Sequence, residues 1–412
     1  MKRADPREEK CSSGLHEQRH VFSSKSTEEK LILGCARTGI EPLIAERIKD
    51  LVGMVLDWDH VQEISTTNGV GPLLYRSLKT LGPDAAPPHI MERLQRHYYQ
   101  NVAHNLALDD QLGTLLRGFQ AAEIPAIPYK GPALAASVYG NIGLRVFGDL
   151  DILIQKKGVR RAADLMISLG YSPDFQFTPD QLEAYVHDFN ELPFTKPNKA
   201  PVELQWEIVP GHLIFPVAPL DLWKDQEETD ESGNRIIPPE KLLIVLCVHG
   251  AKDSWGRLAW VCDVAELLRK SGNLDWGGLL SLAQKTGGLR MLYLGLYLAH
   301  ALLDAPLPVE VLGRISKDRT VAETSQIIRE RIFRRSDGNE GVLETCIFYI
   351  KMRERCRDKV RFLFRTFSRP VPGQWDQLGL EGPCARVMNV LRHVLMSVGY
   401  GLGLARQRLT NK

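Results

Sequence analysis

The chain has 412 residues, 44% of them apolar and 25% charged, with a formal net charge of +2. That length holds two or three domains and a substantial core. The composition is that of a soluble globular protein, and the near-neutral charge argues against a dedicated nucleic-acid binder. The seven cysteines, at 11, 35, 247, 262, 346, 356 and 384, contain no CxxC pair. No zinc ribbon or disulfide scaffold is therefore expected, and a reducing, cytoplasmic setting fits best.

Residues 1–26 are polar and charged without an apolar stretch, which reads as a disordered tail and not as a signal peptide. Residues 27–122 read as helical. Leu43, Ile44, Ile48, Leu51, Val52 and Val55 recur at helical spacing, a second helical region covers 61–81, and a long helix runs from Ile90 to about Ala121. An α/β core is expected over 123–238. It opens on a short extended segment at 124–129, where two prolines disfavour helix in the residues before them. A helix follows over 133–139, with Pro132 near its first position. A strand is expected at 146–154, an amphipathic helix at 159–169 closed by Gly170, and an alternating strand at 201–209. Residues 239–412 return to helix, with breaks at 305–308 and 370–384. The most membrane-like stretch, 387–405, is interrupted by Arg392 and His393. It falls short of the about 20 nearly uncharged residues of a spanning helix, so an amphipathic final helix and no membrane partner are expected.

Asp149 and Asp151 stand two apart on the predicted strand, so both side chains leave one face, with Cα atoms about 6.6 Å apart. Leu150, Ile152 and Ile154 fill the other face. Adjacent acids repel unless a cation or a proton intervenes, and Mg²⁺ prefers carboxylate and phosphate oxygens. Alone, the pair also fits a solvated strand end. Three neighbours favour chemistry. Lys130-Gly131 enters a helix, where glycine permits close backbone approach to a phosphate and the lysine adds positive potential, or the glycine simply starts a loop. Arg145 either steadies the acids or a phosphate, or forms a structural salt bridge. In the strand Pro-Val-Glu-Leu-Gln-Trp-Glu at 201–207, Glu203, Gln205 and Glu207 share a face. Glu203 is the preferred third carboxylate, of the kind that two-metal phosphoryl transfer uses; Glu207 reads as a solvated end.

Downstream, two apolar helices at 242–249 and 258–268 flank a loop with Trp255 and Arg257. Asp263 lies among apolar neighbours and needs a partner, with His249, Lys252 and Arg257 nearest in sequence. His249, Trp255, Arg257 and Asp263 form either a wall of a nucleotide pocket, with Trp255 or Trp260 stacking on the base, or a polar clamp between helices. The clamp is the preferred reading. The basic run at 351–369 reads as a solvated helix face, with an acidic partner or a tRNA-like acceptor as the alternative.

In order and spacing these residues resemble the nucleotidyltransferase superfamily with a polymerase-β-like core. They look most like a bacterial branch of uncharacterised nucleotidyltransferase-like proteins. The resemblance rests on 124–135 (Ile-Pro-Ala-Ile, then Lys130-Gly131), on Gly143-x-Arg145-x-x-Gly148-Asp149-x-Asp151, on Val202-Glu203-Leu204-Gln205-Trp206, and on His249, Trp255, Arg257, Leu258, Trp260 and Asp263. It includes Trp58-Asp59 and the Gly-Val-Gly-Pro-Leu-Leu-Tyr at 69–75, and so covers most of 28–370. It implies an α+β fold with a small mixed sheet flanked by helices. It also implies an Mg²⁺ site (or Mn²⁺) on Asp149, Asp151 and Glu203, with Lys130, Gly131 and Arg145 at the phosphates. The implied reaction moves a nucleoside monophosphate from an NTP, with ATP as the expected donor, to a hydroxyl of a small molecule or protein, releasing pyrophosphate. Two departures stand out. Lys130-Gly131-Pro132 replaces the usual Gly-Ser loop, and Gln205 and Asp253 stand where the branch often has histidines. They favour a second possibility, a non-catalytic scaffold that binds nucleotide or a partner; an antitoxin-like transferase acting on a partner toxin is a third.

Overall fold

The computed structural model describes residues 26–368, except position 176 and the stretches 210–214, 216–219, 224–228, 230–232, 234 and 335–341. The expected N-terminal tail (but for Ser26) and the expected helix at 387–405 lie outside the described residues. The fold is α+β, with a five-stranded mixed sheet and sixteen helices among those residues. None of these helices is long and apolar enough to cross a membrane.

Helix α1 (Thr27–Cys35) starts at Ser26, whose hydroxyl accepts from the Glu29 amide, satisfying one of the amides that a helix start leaves open. Helices α2 (Pro42–Val52), α3 (Trp58–Thr67) and α4 (Gly71–Leu81) follow. The helical region expected at 61–81 is made of two helices, the end of α3 and α4. Gly69, at φ +69°, breaks it beside Asn68. The Asn68 carboxamide donates to the carbonyls of Ile64 and Ile332 and accepts from the Leu258 amide, so the break is tied to helices that come much later in the chain. Helix α5 (Pro88–Ala121) is the expected long helix, begun two residues earlier.

The sheet is formed by β1 (Ala126–Pro128), β2 (Leu150–Ile154), β3 (Ser172–Pro173), β4 (Glu191–Thr195) and β5 (Val202–Gln205), in the order β1-β2-β5-β4-β3. Only β2 and β5 pair in parallel. Between the strands lie α6 (Gly131–Leu134), continued by a π-helical turn at Ala135–Tyr139, then α7 (Val159–Ser168) and α8 (Pro179–Asp188). Both expected strands prove shorter. Strand β2 begins at Leu150 because its neighbours begin there: the Leu150 amide bonds the Pro201 carbonyl, and β1 reaches no further than Ile152. Strand β5 ends at Gln205 because the amides of Trp206 and Glu207 both turn to the Asn190 carbonyl.

Two cores sandwich the sheet. On one face Leu150, Ile152, Ile154, Phe194, Val202 and Leu204 pack with Leu112, Leu115 and Phe119 of α5 and with Ala162 and Met166 of α7. The other face carries Ile127, Tyr129 and Leu153 into a larger core with α9 (Pro239–Lys252), α10 (Leu258–Lys270) and α12 (Leu289–Leu303). Leu31, Ile48 and Leu74, from helices ahead of the sheet, belong to that same larger core. The helices before and after the sheet thus bury their apolar faces against one another. Helices α11 (Trp276–Thr286), α13 (Val309–Ile315), α14 (Arg319–Phe333), α15 (Val342–Lys351) and α16 (Cys356–Ser368) complete the chain as described.

Candidate active site

Asp151 sits on β2 directly opposite Glu203 on β5 in the parallel register. Both point away from the α5–α7 side, as period-two alternation requires once Ile152 and Leu204 are buried there. Asp149, expected on the strand, falls in the bend just before it. The loop carrying it is fastened to α5: Asn105 donates to the carbonyls of Ile142 and Arg145, and Asn101 to those of Gly143 and Arg145. Gly131 adopts φ +53° at the start of α6, and a Cβ there would meet the Asp149 carbonyl at 3.3 Å. Glycine is needed on both counts. The predicted residues Lys130, Gly131, Asp149, Asp151 and Glu203 are brought together.

Lys130 is buried, and its Nζ lies 3.2 Å from Asp151 Oδ1 and 5.0 Å from the centre of the Tyr129 ring. Gln205 Nε2 donates to the same Asp151 Oδ1 at 2.7 Å and to Glu203 Oε2 at 2.8 Å. Gln205 Oε1 accepts from the Tyr129 hydroxyl, which fixes the orientation of the amide. Burial, then Asp151 and the other nearby acids, push the Tyr129 hydroxyl well above the usual tyrosine range, so it remains a donor.

A fourth acid completes the cluster. Glu191, on β4 opposite Gln205, accepts from Asn190 Nδ2 at 2.7 Å and lies 3.4 Å from Gln205 Nε2. Nothing in the sequence marked it, because Pro193 two residues on made the segment look unlike a strand. Burial first, then Glu191 and Asp151, raise the Glu203 carboxyl to about 7. Burial and Asp151 raise Asp149, with Lys130 and Arg145 opposing. Four carboxylates thus face one directly bonded lysine.

Arg145 is committed elsewhere. Its Nε and one terminal nitrogen bond both oxygens of Asp263 on α10, at 2.9 and 3.0 Å, and the Tyr139 hydroxyl donates to the same carboxylate at 2.6 Å. Burial opposes its charge, but Asp263, with help from Tyr139 and Asp151, more than offsets it and holds the guanidinium ionised. Of the two roles open from sequence, the salt bridge is the one observed, and the partner of Asp263 is Arg145 and not His249, Lys252 or Arg257. Trp255 is wholly buried, against Gly250 and Gly295, so it cannot stack on a base. Arg257 is exposed ahead of α10. His249 lies edge-on to Trp260, with ring centres 5.9 Å apart.

An all-oxygen set with a surplus of acid suits a hard cation. Among the described residues no three His, Cys, Asp or Glu side chains gather into a set that holds a metal ion unaided. Mg²⁺ in phosphoryl-transfer sites takes one or two carboxylates and completes its shell with phosphate oxygens and water, a demand that Asp149 and Asp151 can meet. A cleft of about 430 Å³ opens elsewhere, lined by Thr38, Glu41, Tyr139, Glu266, Arg269 and Lys270. Its Glu266 is bonded by Thr38 and Arg269.

A family model described as uncharacterised nucleotidyltransferase matches residues 55–304, more than half of the chain. No curated protein and no solved structure matches it.

Proposed function

The chain belongs to the uncharacterised nucleotidyltransferase family, and from that premise we propose that its sheet acids bind an NTP with a divalent cation and pass the nucleoside monophosphate to an acceptor hydroxyl. The observation that carries this reading is the register of Asp151 against Glu203 on adjacent parallel strands, with Asp149 at the mouth of β2. Asp149 and Asp151 would hold Mg²⁺, or Mn²⁺ in its place. When bound, the ion would neutralise charge on the triphosphate and on the departing pyrophosphate.

The protein's own groups account for the rest. Lys130, pinned beside Asp151, supplies a cation that can pass to a phosphate oxygen once a metal takes over its carboxylate. Gly131, without a Cβ, lets the start of α6 pack closely against the backbone of Asp149 and so holds that acid near Lys130. Glu203, raised to about 7, exchanges its proton near neutral pH, as suits a group beside a reacting hydroxyl. Arg145 does not touch substrate in this reading; bonded to Asp263, it sets the position of the loop that bears Asp149.

A second reading, a nucleotide-binding scaffold without turnover, draws on Gln205, whose amide bridges Asp151 and Glu203 where a metal would compete. Thermal-shift titration with each NTP, with and without Mg²⁺, combined with pyrophosphate release, separates the two. The enzyme predicts metal-dependent stabilisation by at least one NTP together with release of pyrophosphate. Asp151→Asn should abolish that release while the chain stays folded. Release by the variant at the wild-type rate sinks the reading, and stabilisation without release supports the scaffold.

A further inference from the structure

One amide nitrogen stands among three carboxylates of the site. Gln205 Nε2 lies 2.7 Å from Asp151 Oδ1, 2.8 Å from Glu203 Oε2 and 3.4 Å from Glu191 Oε2. An amide nitrogen carries two protons. They go to Asp151 and Glu203, while Glu191 Oε2 is served by Asn190 at 2.7 Å. The backbone holds this crowding in place: Asp151 faces Glu203 across β2 and β5, and Gln205 faces Glu191 across β5 and β4. Acids fixed in register on three adjacent strands cannot drift apart, so a positive or proton-bearing group has to stand among them. Lys130 meets Asp151 Oδ1 at 3.2 Å, and the Gln205 amide bridges Asp151 to Glu203.

The other end of the amide is less demanding. Its Oε1 accepts from the Tyr129 hydroxyl, a group that can equally accept a bond from an N–H. The last torsion of a glutamine side chain is broad and roughly two-fold, so rotation exchanges Oε1 and Nε2 without moving the rest of the residue. Gln205 and Tyr129 are both buried, which makes rotation in place a smaller rearrangement than swinging out to water. Tyr129 tolerates either orientation, and the acids decide between them. An oxygen turned toward carboxylates alone is repelled, so Nε2 is held there. A divalent cation at Asp151 reverses the preference, because an amide N–H repels a cation whereas a glutamine carbonyl is a ligand for hard ions.

We propose that Gln205 is a conditional metal ligand: its amide turns over when a divalent cation binds at Asp151, so that Oε1 joins the carboxylates as a further protein oxygen and Nε2 donates to the Tyr129 hydroxyl. The proposal rests on the cation reading of the acids. The group that competes with a cation in one orientation is then its ligand in the other, and the bridge from Asp151 to Glu203 no longer counts against metal binding.

Mn²⁺ is the probe, with the full chain, alone or beside a nonhydrolysable ATP analogue, in whichever condition the wild type binds the ion. Once circular dichroism has shown the variants folded, isothermal titration should find Mn²⁺ bound about 10–100-fold more weakly by Gln205→Leu than by wild type. Gln205→Glu, which keeps an oxygen and loses the amide nitrogen, should bind at least as tightly as wild type. An amide that only competes gives the opposite result: Gln205→Leu binding as tightly as wild type, or tighter, overturns the proposal. A crystal structure of the wild type with Mn²⁺, located by anomalous scattering, needs no variant to fold. Gln205 should touch the ion directly, and an ion held by the acids with Gln205 out of contact overturns this proposal alone. If the wild type binds no Mn²⁺ in either condition, the cation reading fails and this proposal fails with it.

Discussion

Glu203 shows how a single side chain takes its chemistry from its neighbours. Burial, Glu191 and Asp151 all disfavour its charge, and the Gln205 amide offsets only part of that. Its folded pKa of about 7 lies above the ordinary 4.5, so the folded protein keeps a proton that the unfolded chain releases between those values. The contribution to stability is therefore full below about pH 4.5, declines as pH rises to about 7, and is level beyond. Asp149, raised for similar reasons, adds a slope of the same sign. The urea midpoint should fall over that window in wild type and fall less in Glu203→Gln; identical slopes would show that Glu203 is ionised throughout. At this scale residue type and local spacing were enough to single out Lys130, Gly131, the two aspartates and Glu203, which the fold brings together. The sequence was silent on Glu191, and it left the roles of Arg145 open, because the deciding partner is 118 residues away.

Elements were legible where periodicity is long. Helix α5 and helices α9 and α10 lie within a few residues of their expected bounds. The strands were not, since a strand's length is set by its neighbours and not by its own residues. Positions 146–149 have strand-like composition but no partner chain alongside, and β3 has only two residues. Strand β4 hides behind Pro193, which is tolerated because β4 has only that two-residue strand on its outer side. The short α6 shows the opposite case, an element defined by one residue. Gly131→Ala forces a side chain into a left-handed conformation and against the Asp149 carbonyl. It should cost about 1–2 kcal/mol in urea unfolding and also reduce NTP-dependent stabilisation, because the displaced carbonyl belongs to a metal-binding residue of the proposal. A variant as stable as wild type would mean that the loop relaxes freely.

Across the whole molecule, the chain order misrepresents the packing. Helices from both ends of the described chain fill one core, and that core lies on the same sheet face as the acids. A fragment of 27–238 would expose Leu31, Ile48 and Leu74 and leave Arg145 buried without Asp263, and an unpaired buried charge costs about 3–5 kcal/mol. Such a fragment should show no cooperative transition in calorimetry, whereas the full chain should unfold with coincident fluorescence and circular-dichroism transitions; a sharp melt of the fragment would contradict the shared core. The bond between Arg145 and Asp263 has one more consequence. It joins the loop that presents Asp149 to α10, so a ligand that orders the loop also protects α10, and a lesion in α10 loosens the grip on the ligand by an equal free energy. Affinity at the acids and local opening of a distant helix are then two readings of one equilibrium.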